Sequence, residues 1–310
     1  MKIIITGATG FIGRALCKEL CQSYEVIALS RDVNKAAEIL DGTAKAVQWD
    51  ARTNAGWQEY ADGAFAIINL AGENVGSGHW NKSKKEQILQ SRLDSVQAVL
   101  EAVKAAAVKP KVVIQASAIG FYGSRGDEEL DETASQGKNF LADVCGQVES
   151  HISQIETSGV RIAIIRTGIV LGPHGGMLER LIKAFKTHMG GYFGTGKQWV
   201  SWISLADEVA AIKFLLENEG LRGAFNLASP QPIIMKEFCE ILGEALNKPG
   251  KTAVPEFVAR LVFGEMADEV ILASQKVLPK RLLDAGFDFR YHDLKSVLVD
   301  IIGHSKSSDV

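Results

Sequence analysis

The residues with the clearest chemical purpose lie at the start of the chain. In KIIITGATGFIG, Gly7, Gly10 and Gly13 recur every three residues between a five-residue apolar run and an amphipathic, helix-period segment. In such a strand–turn–helix unit Gly7 permits the tight turn, Gly10 lets the backbone approach a pyrophosphate, and Gly13 allows close helix packing. The phosphates then meet the positive end of the helix dipole. Thr6, Thr9, Phe11 and Ile12 fill the same loop and first turn and are expected to bind the dinucleotide with it. The end of the second strand indicates which dinucleotide. Sites that take NAD place Asp or Glu there to receive the ribose 2′-hydroxyl. VIALSRD offers Ser30 and Arg31 instead, a hydroxyl and a guanidinium fork suited to a phosphate dianion, so NADP is the expected cofactor. The competing reading leaves Arg31 in water and gives the acidic role to Asp32.

Positioning these residues requires a parallel sheet. Short β-branched apolar runs alternate with helix-period segments through the first half of the chain, the signature of strands joined by crossover helices. The expected strands are Lys2 to Thr6, Glu25 to Leu29, Lys45 to Gln48, Phe65 to Asn69, Lys111 to Ala116 and Arg161 to Arg166, with helices over Phe11 to Gln22, Val33 to Leu40, Lys82 to Ala107 and Lys138 to Thr157. Runs as apolar as FAIIN and KVVIQ suit a sheet covered on both faces. The fold class is therefore α/β, a Rossmann doubly wound parallel sheet with an interleaved smaller C-terminal lobe. The NADP-binding domain is expected over 1–170, completed by about 205–228. A substrate-side lobe takes 171–204 and 229–303, a frayed polar tail 304–310, and the cleft between the lobes is expected to hold the ligand.

Connections after the strands supply further candidates. Leu70, Ala71 and Gly72 follow the fourth strand and are expected to line the cofactor cleft, with Glu73 and Asn74 beyond them facing substrate. Arg92 either clamps a cofactor phosphate or makes an ordinary helix-face ion pair. The charge run Lys82 to Lys85 reads as a solvated helix face.

Composition narrows the partners. The 310 residues carry a net charge of −3 with scattered basic residues, which builds no field for nucleic acid or a membrane surface. A small-molecule substrate is expected. Cys17, Cys21, Cys145 and Cys239 form no CxxC pair or Cys/His cluster, so no metal is expected and the thiols read as free. With no long apolar span or leader pattern, the expected location is cytoplasmic.

TGATGFIG, NLAGEN at 69–74, SAIGFYG at 117–123 and RTGIVLGP at 166–173 resemble the extended short-chain dehydrogenases. HWNKSKKEQILQSR, GKQWVSWISLAD and KVLPKRLLDAGFDF are similar to an atypical branch, the epimerase family proteins, which end in a small domain of unknown function. The resemblance implies an NADP-dependent oxidoreductase or nucleoside-diphosphate-sugar epimerase, a sugar nucleotide as one substrate class, and a homodimer pairing through the helices at 82–107 and 138–157. It also places Asp50 at the adenine, and Gln198 and Trp202 along the substrate cleft. Clustered tryptophans are otherwise more often core, and Ser204 replaces the His usual after SWI.

The class works through a Ser and a Tyr-x-x-x-Lys, the Lys lowering the Tyr pKa for proton exchange. Taking Glu149 as the glutamate one turn after that Lys puts Leu141 at the Tyr position, Cys145 at the Lys position and Ala118 at the Ser position. Tyr122 is then the remaining acid/base candidate, or else a wall of the nicotinamide pocket. Ser117 either polarises a substrate or bonds the local backbone. Two functions follow: a hydride-transferring oxidoreductase or epimerase, and a non-catalytic NADP(H)-binding redox sensor.

Overall fold

The computed structural model describes residues 1–187, 189–250 and 252–307. The first half runs β1 (Lys2–Thr6), α1 (Phe11–Leu20), β2 (Glu25–Ser30), α2 (Val33–Leu40), β3 (Lys45–Gln48), α3 (Gln58–Ala61), β4 (Ala66–Asn69), α4 (Lys82–Ala105) and β5 (Val112–Ala118). A single 3-10 turn, Ile119–Tyr122, leads to β6 (Glu129–Leu130), α5 (Phe140–Ile152) and β7 (Arg161–Thr167). The second half holds β8 (Ile169–Leu171), α6 (Gly176–Lys186), β9 (Gly191–Phe193), β10 (Trp199–Val200), β11 (Trp202–Ser204), α7 (Leu205–Glu217), β12 (Gly223–Leu227) and a mainly helical remainder from 233 onward.

Seven strands form the central sheet in the order β12-β7-β5-β4-β1-β2-β3, mostly parallel, a Rossmann-like arrangement. The order reverses beside β1, between β2 and β4. That is the switch point at which doubly wound sheets bind ligands. The strands expected from apolar runs all form, running on a residue or two at the ends of β2, β5 and β7, while β4 and β5 start one residue late. The helix expected over 138–157 is α5 followed by a 3-10 segment at Ser153–Ser158.

Two compact units partition the chain. The first contains Met1–Ala118, Asp143–Arg166 and Val209–Phe225; the second contains Ile119–Ala142, Thr167–Glu208 and the chain from Asn226 on. Residues 119–142 thus differ from the expected continuous span 1–170. The first unit packs Ile4, Ile27, Ile67 and Val113 of the sheet against Val96, Val99 and Val103 of α4 and Val148 and Ile152 of α5. The second has its own core, with Phe185, Trp202, Phe238 and Leu298 fully or almost fully buried. The closing helix, Leu294–Ser307, carries helical structure into the stretch expected to be a tail, while 308–310 lie outside the described residues. Among the described residues no helix is long and apolar enough to cross a membrane.

A buried polar network ties the sheet's carboxyl end together in the first unit. Thr6 Oγ1 donates to Asn69 Oδ1 at 2.5 Å and accepts from the backbone N–H groups of Leu70 and Ala71, each at 3.1 Å. Asn69 Nδ2 donates to Gln115 Oε1 at 2.8 Å and to Ser95 Oγ at 3.2 Å. Three strand tips and α4 thereby share one set of hydrogen bonds, and all four side chains are buried. Replacing Asn69 by Ala strands buried partners on three elements. The expected loss is about 2–4 kcal/mol of unfolding free energy, measured by urea titration.

Candidate dinucleotide cleft and the polar cluster beside it

The β1–α1 turn has little spare room. Gly7 adopts φ +67°, and a Cβ there would lie 2.9 Å from the Leu70 backbone; at Gly13 a Cβ would lie 2.3 Å from the Gly7 carbonyl oxygen. Gly10 differs: its Cβ would meet only that same oxygen, at 3.1 Å, and its other side opens onto a cleft of about 520 Å³. Gly7, Thr9 and Gly10 form one end of this cleft, Leu70, Ala71, Gly72 and Glu73 a second wall, and Ser30, Arg31, Asp32 and Lys35 its far end.

At that far end the backbone decides what each side chain can offer. Asp32 is the N-cap of α2, its Oδ1 accepting from the Lys35 N–H at 3.0 Å. Ser30 Oγ accepts from the Asp32 N–H at 3.2 Å and lies 3.0 Å from the Asp32 carbonyl oxygen, pinning the turn. The cap engages the carboxylate and leaves Arg31 and Lys35 as cations at the rim. Lys35 was not singled out from sequence; the available signal was a cation three residues past an N-cap Asp.

Several residues expected to bind are absent from the lining of the cleft. Thr6 is fully buried with its hydroxyl engaged in the strand-tip network, so it shapes the loop without reaching the cleft. Phe11 and Ile12 are half-buried on the first turn of α1. Asp50 holds its own turn, accepting from the N–H groups of Arg52 and Thr53 at 2.8 Å; its neighbours Trp49 and Ala51 line the cleft instead. Arg92 lies behind Gly72, where a Cβ would be 3.0 Å from the Arg92 Cζ, and its Nη1 donates to the carbonyls of Glu73 and Ile88 at 3.0 and 2.8 Å.

Glu73 accepts at its backbone from Arg92, donates its N–H to Ser91 Oγ at 2.9 Å, and pairs its carboxylate with Lys84. Lys84 also donates to Ser77 Oγ at 3.0 Å. The charge run at 82–85 is therefore not uniformly solvated, since the Lys84 side chain is 14% exposed. Asn74 is exposed and accepts from the Gly76 N–H in a local turn.

At the end of β5, Ser117 Oγ donates to Glu149 Oε1 at 2.6 Å, and Arg166 grips the same carboxylate through Nε at 3.0 Å and Nη2 at 2.8 Å. Glu149 and Arg166 are buried, a geometry in which two parallel bonds offset part of the desolvation. A carboxylate only accepts, so Ser117 must donate to it and presents lone pairs elsewhere. In this arrangement Ser117 cannot polarise a carbonyl. Cys145 is buried beside it, its Sγ 3.7 Å from the Ala118 carbonyl oxygen. Burial pushes that thiol up, with the Glu149 charge adding to the shift and the Arg92 charge opposing it.

Tyr122 requires a correction. Its ring is fully buried in a small core of the second unit with Ile119, Leu130, Ala228 and Val277, and its hydroxyl bonds Asn226 Oδ1 at 2.7 Å. A hydroxyl enclosed in this way has no route for exchanging protons with substrate. Trp202 is likewise core, 1% exposed with its indole N–H on the Gln231 carbonyl at 3.0 Å. Gln198 is half-buried and turns its amide to the carbonyls of Phe193 and Ile271, at 3.3 and 3.4 Å.

The match to the NAD dependent epimerase/dehydratase family model spans residues 3–228. The chain belongs to that family. Residues 254–301 match a second model, a domain of unknown function (DUF1731). Epimerase family protein YfhF of Bacillus subtilis is 35% identical, covering 99% of this chain and 100% of that protein. The Arabidopsis thaliana epimerase family protein SDR39U1 homolog, described as chloroplastic, is 35% identical over 96% of this chain and 86% of its own length. Human epimerase family protein SDR39U1, solved with NADPH, superposes with a TM-score of 0.87 at 27% identity, covering 98% and 99% of the two chains. A Thermus thermophilus UDP-glucose 4-epimerase solved with NAD shares the fold, with a TM-score of 0.79 at 18% identity.

Two buried carboxylates give predictions with opposite signatures. Glu149→Gln removes the carboxylate charge that the buried Arg166 grips with two bonds, and the expected cost is about 3–5 kcal/mol in urea unfolding. Glu208, fully buried with Thr167 Oγ1 donating to Oε1 at 2.8 Å and Oε2 unpartnered, is pushed by burial to about 8. Its folded pKa lies above its unfolded one, so between the two the native state binds the extra proton and stability falls as pH rises from about 4.5 to about 8. Glu208→Gln should remove that component of the slope, read as the difference in urea midpoint between pH 5 and pH 8.5.

Proposed function

We propose that this chain binds NADP(H) in the cleft between β1, β2 and β4 and passes a hydride between it and a small carbonyl or hydroxyl compound. The observation carrying this reading is the far end of the cleft. Arg31 and Lys35 stand there as cations while the Asp32 carboxylate between them in sequence is engaged as a helix cap. A 2′-phosphate suits that end better than a bare ribose hydroxyl. Gly7, Thr9 and Gly10 would hold the pyrophosphate at the N-terminus of α1, and Leu70, Ala71 and Gly72 would flank the dinucleotide. The human relative solved with NADPH supports the same cofactor.

The bound nicotinamide would supply or accept the hydride. The chain lacks the class's Tyr–Lys relay: Leu141 and Cys145 hold those positions, and Tyr122 is enclosed. Ser117, donating to Glu149, can accept a hydrogen bond from a substrate hydroxyl. These same features favour a second reading, a non-catalytic NADP(H)-binding sensor, because general acid–base help is worth about 10²–10⁴ in rate. Oxidation of bound NADPH by carbonyl compounds, quinones or sugar nucleotides separates the two, since a sensor turns over none of them.

Fluorescence titration should show NADPH binding more tightly than NADH. Arg31→Asp should lower NADPH affinity by about ten- to a hundredfold, the loss of roughly 1.5–3 kcal/mol from a charge-assisted pair. Equal affinities for the two dinucleotides in the unaltered protein would contradict the reading.

A further inference from the structure

We propose that Arg92 is an oxyanion-binding residue, whose guanidinium supplies the cation that position 145 lacks and whose open edge receives a carboxylate oxygen of the substrate. This rests on the dinucleotide reading above and adds the substrate's chemical class. The Arg92 side chain is half-buried on α4, and one of its nitrogens, Nη1, makes both of its hydrogen bonds, to the Glu73 and Ile88 carbonyls. Nε and Nη2 donate to no described residue. One side of the guanidinium packs on Gly72, a wall of the cleft, so closely that a Cβ there would be 3.3 Å from Nε. Its charge acts on the Cys145 thiol.

The neighbouring donors are already engaged. Ser117 gives its proton to Glu149, and Arg166 places Nε and Nη2 on the same carboxylate. Cys145 is buried against the Ala118 carbonyl. Among the described donors beside Gly72, the Nε–Nη2 fork of Arg92 has no hydrogen-bond partner in the protein, and its planar geometry matches a carboxylate. Relative to the class, the cation has moved from α5 to α4. Glu73, held by the same guanidinium through its backbone, has its own negative charge paired with Lys84, so an incoming carboxylate is not opposed by a bare anion.

The test uses the NADPH-loaded full chain titrated with oxalate, followed by nicotinamide fluorescence. NADPH affinity is measured first and separately for every variant. The unaltered protein should show a saturable oxalate response. Arg92→Gln should lower oxalate affinity at least about tenfold more than it lowers NADPH affinity, and Arg92→Lys, which keeps charge but loses the fork, should fall between. Matched losses for oxalate and NADPH would assign Arg92 to a cofactor phosphate and overturn the proposal. So would a saturable oxalate response that Arg92→Gln leaves intact, or no saturable response in an unaltered protein that does bind NADPH. Should Arg92→Gln fail to fold, the unaltered protein and Arg92→Lys decide. Failure of the unaltered protein to bind NADPH would instead sink the dinucleotide reading.

Discussion

The cleft depends on four buried polar side chains that have to satisfy one another. Thr6, Asn69, Ser95 and Gln115 sit where apolar residues would otherwise pack, and each could be accommodated only because its partners lie on the adjoining strand tips or on α4. The Thr6 hydroxyl, by accepting from Leu70 and Ala71, draws the segment after β4 against the β1 turn. That approach makes a side chain at position 7 impossible and defines the two walls facing Gly10. The shape of the cleft wall is thus set by hydrogen bonds buried beneath it.

The same logic extends along α4. Lys84, Ser91, Arg92 and Ser95 fall on one stripe of the helix, Ser91 two turns after Lys84 and Ser95 one turn after Ser91, and each bonds a different part of the segment between Asn69 and Ser77. This polar stripe explains why so long a helix has a weakly segregated apolar face. A second constraint holds Ser117: the Glu149–Arg166 pair fixes which way its proton points, and with it what Ser117 can offer a ligand. Buried ion pairs of this kind specify geometry more dependably than they add stability.

The sheet was legible because its strands are buried on both faces and read as unbroken apolar runs, and the β1–α1 turn because glycine spacing carries a steric meaning that sequence alone expresses. The place of Arg31 in the cleft lining could be read for the same reason, as a residue at a fixed offset from a strand end. Tyr122 was not. It follows β5 as expected, but a single 3-10 turn carries its ring into a core built from Leu130, Ala228 and Val277, the last two far along the chain. Trp202 misled in the other direction, since a resemblance placed it by a ligand while its area demanded burial. The direction of the Ser117 proton and the pairing of Lys84 both depend on partners brought in by folding, Glu149 and Glu73, and no local spacing reveals them.

The most direct measurement of the account is a crystal structure of the chain grown with NADPH. It should place the 2′-phosphate within hydrogen-bonding distance of Arg31 and Lys35, with the Asp32 carboxylate still capping α2 and the pyrophosphate over Gly10. A dinucleotide whose 2′-phosphate points to solvent while Asp32 has turned to the ribose would contradict the account, as would one bound away from the β1–α1 turn.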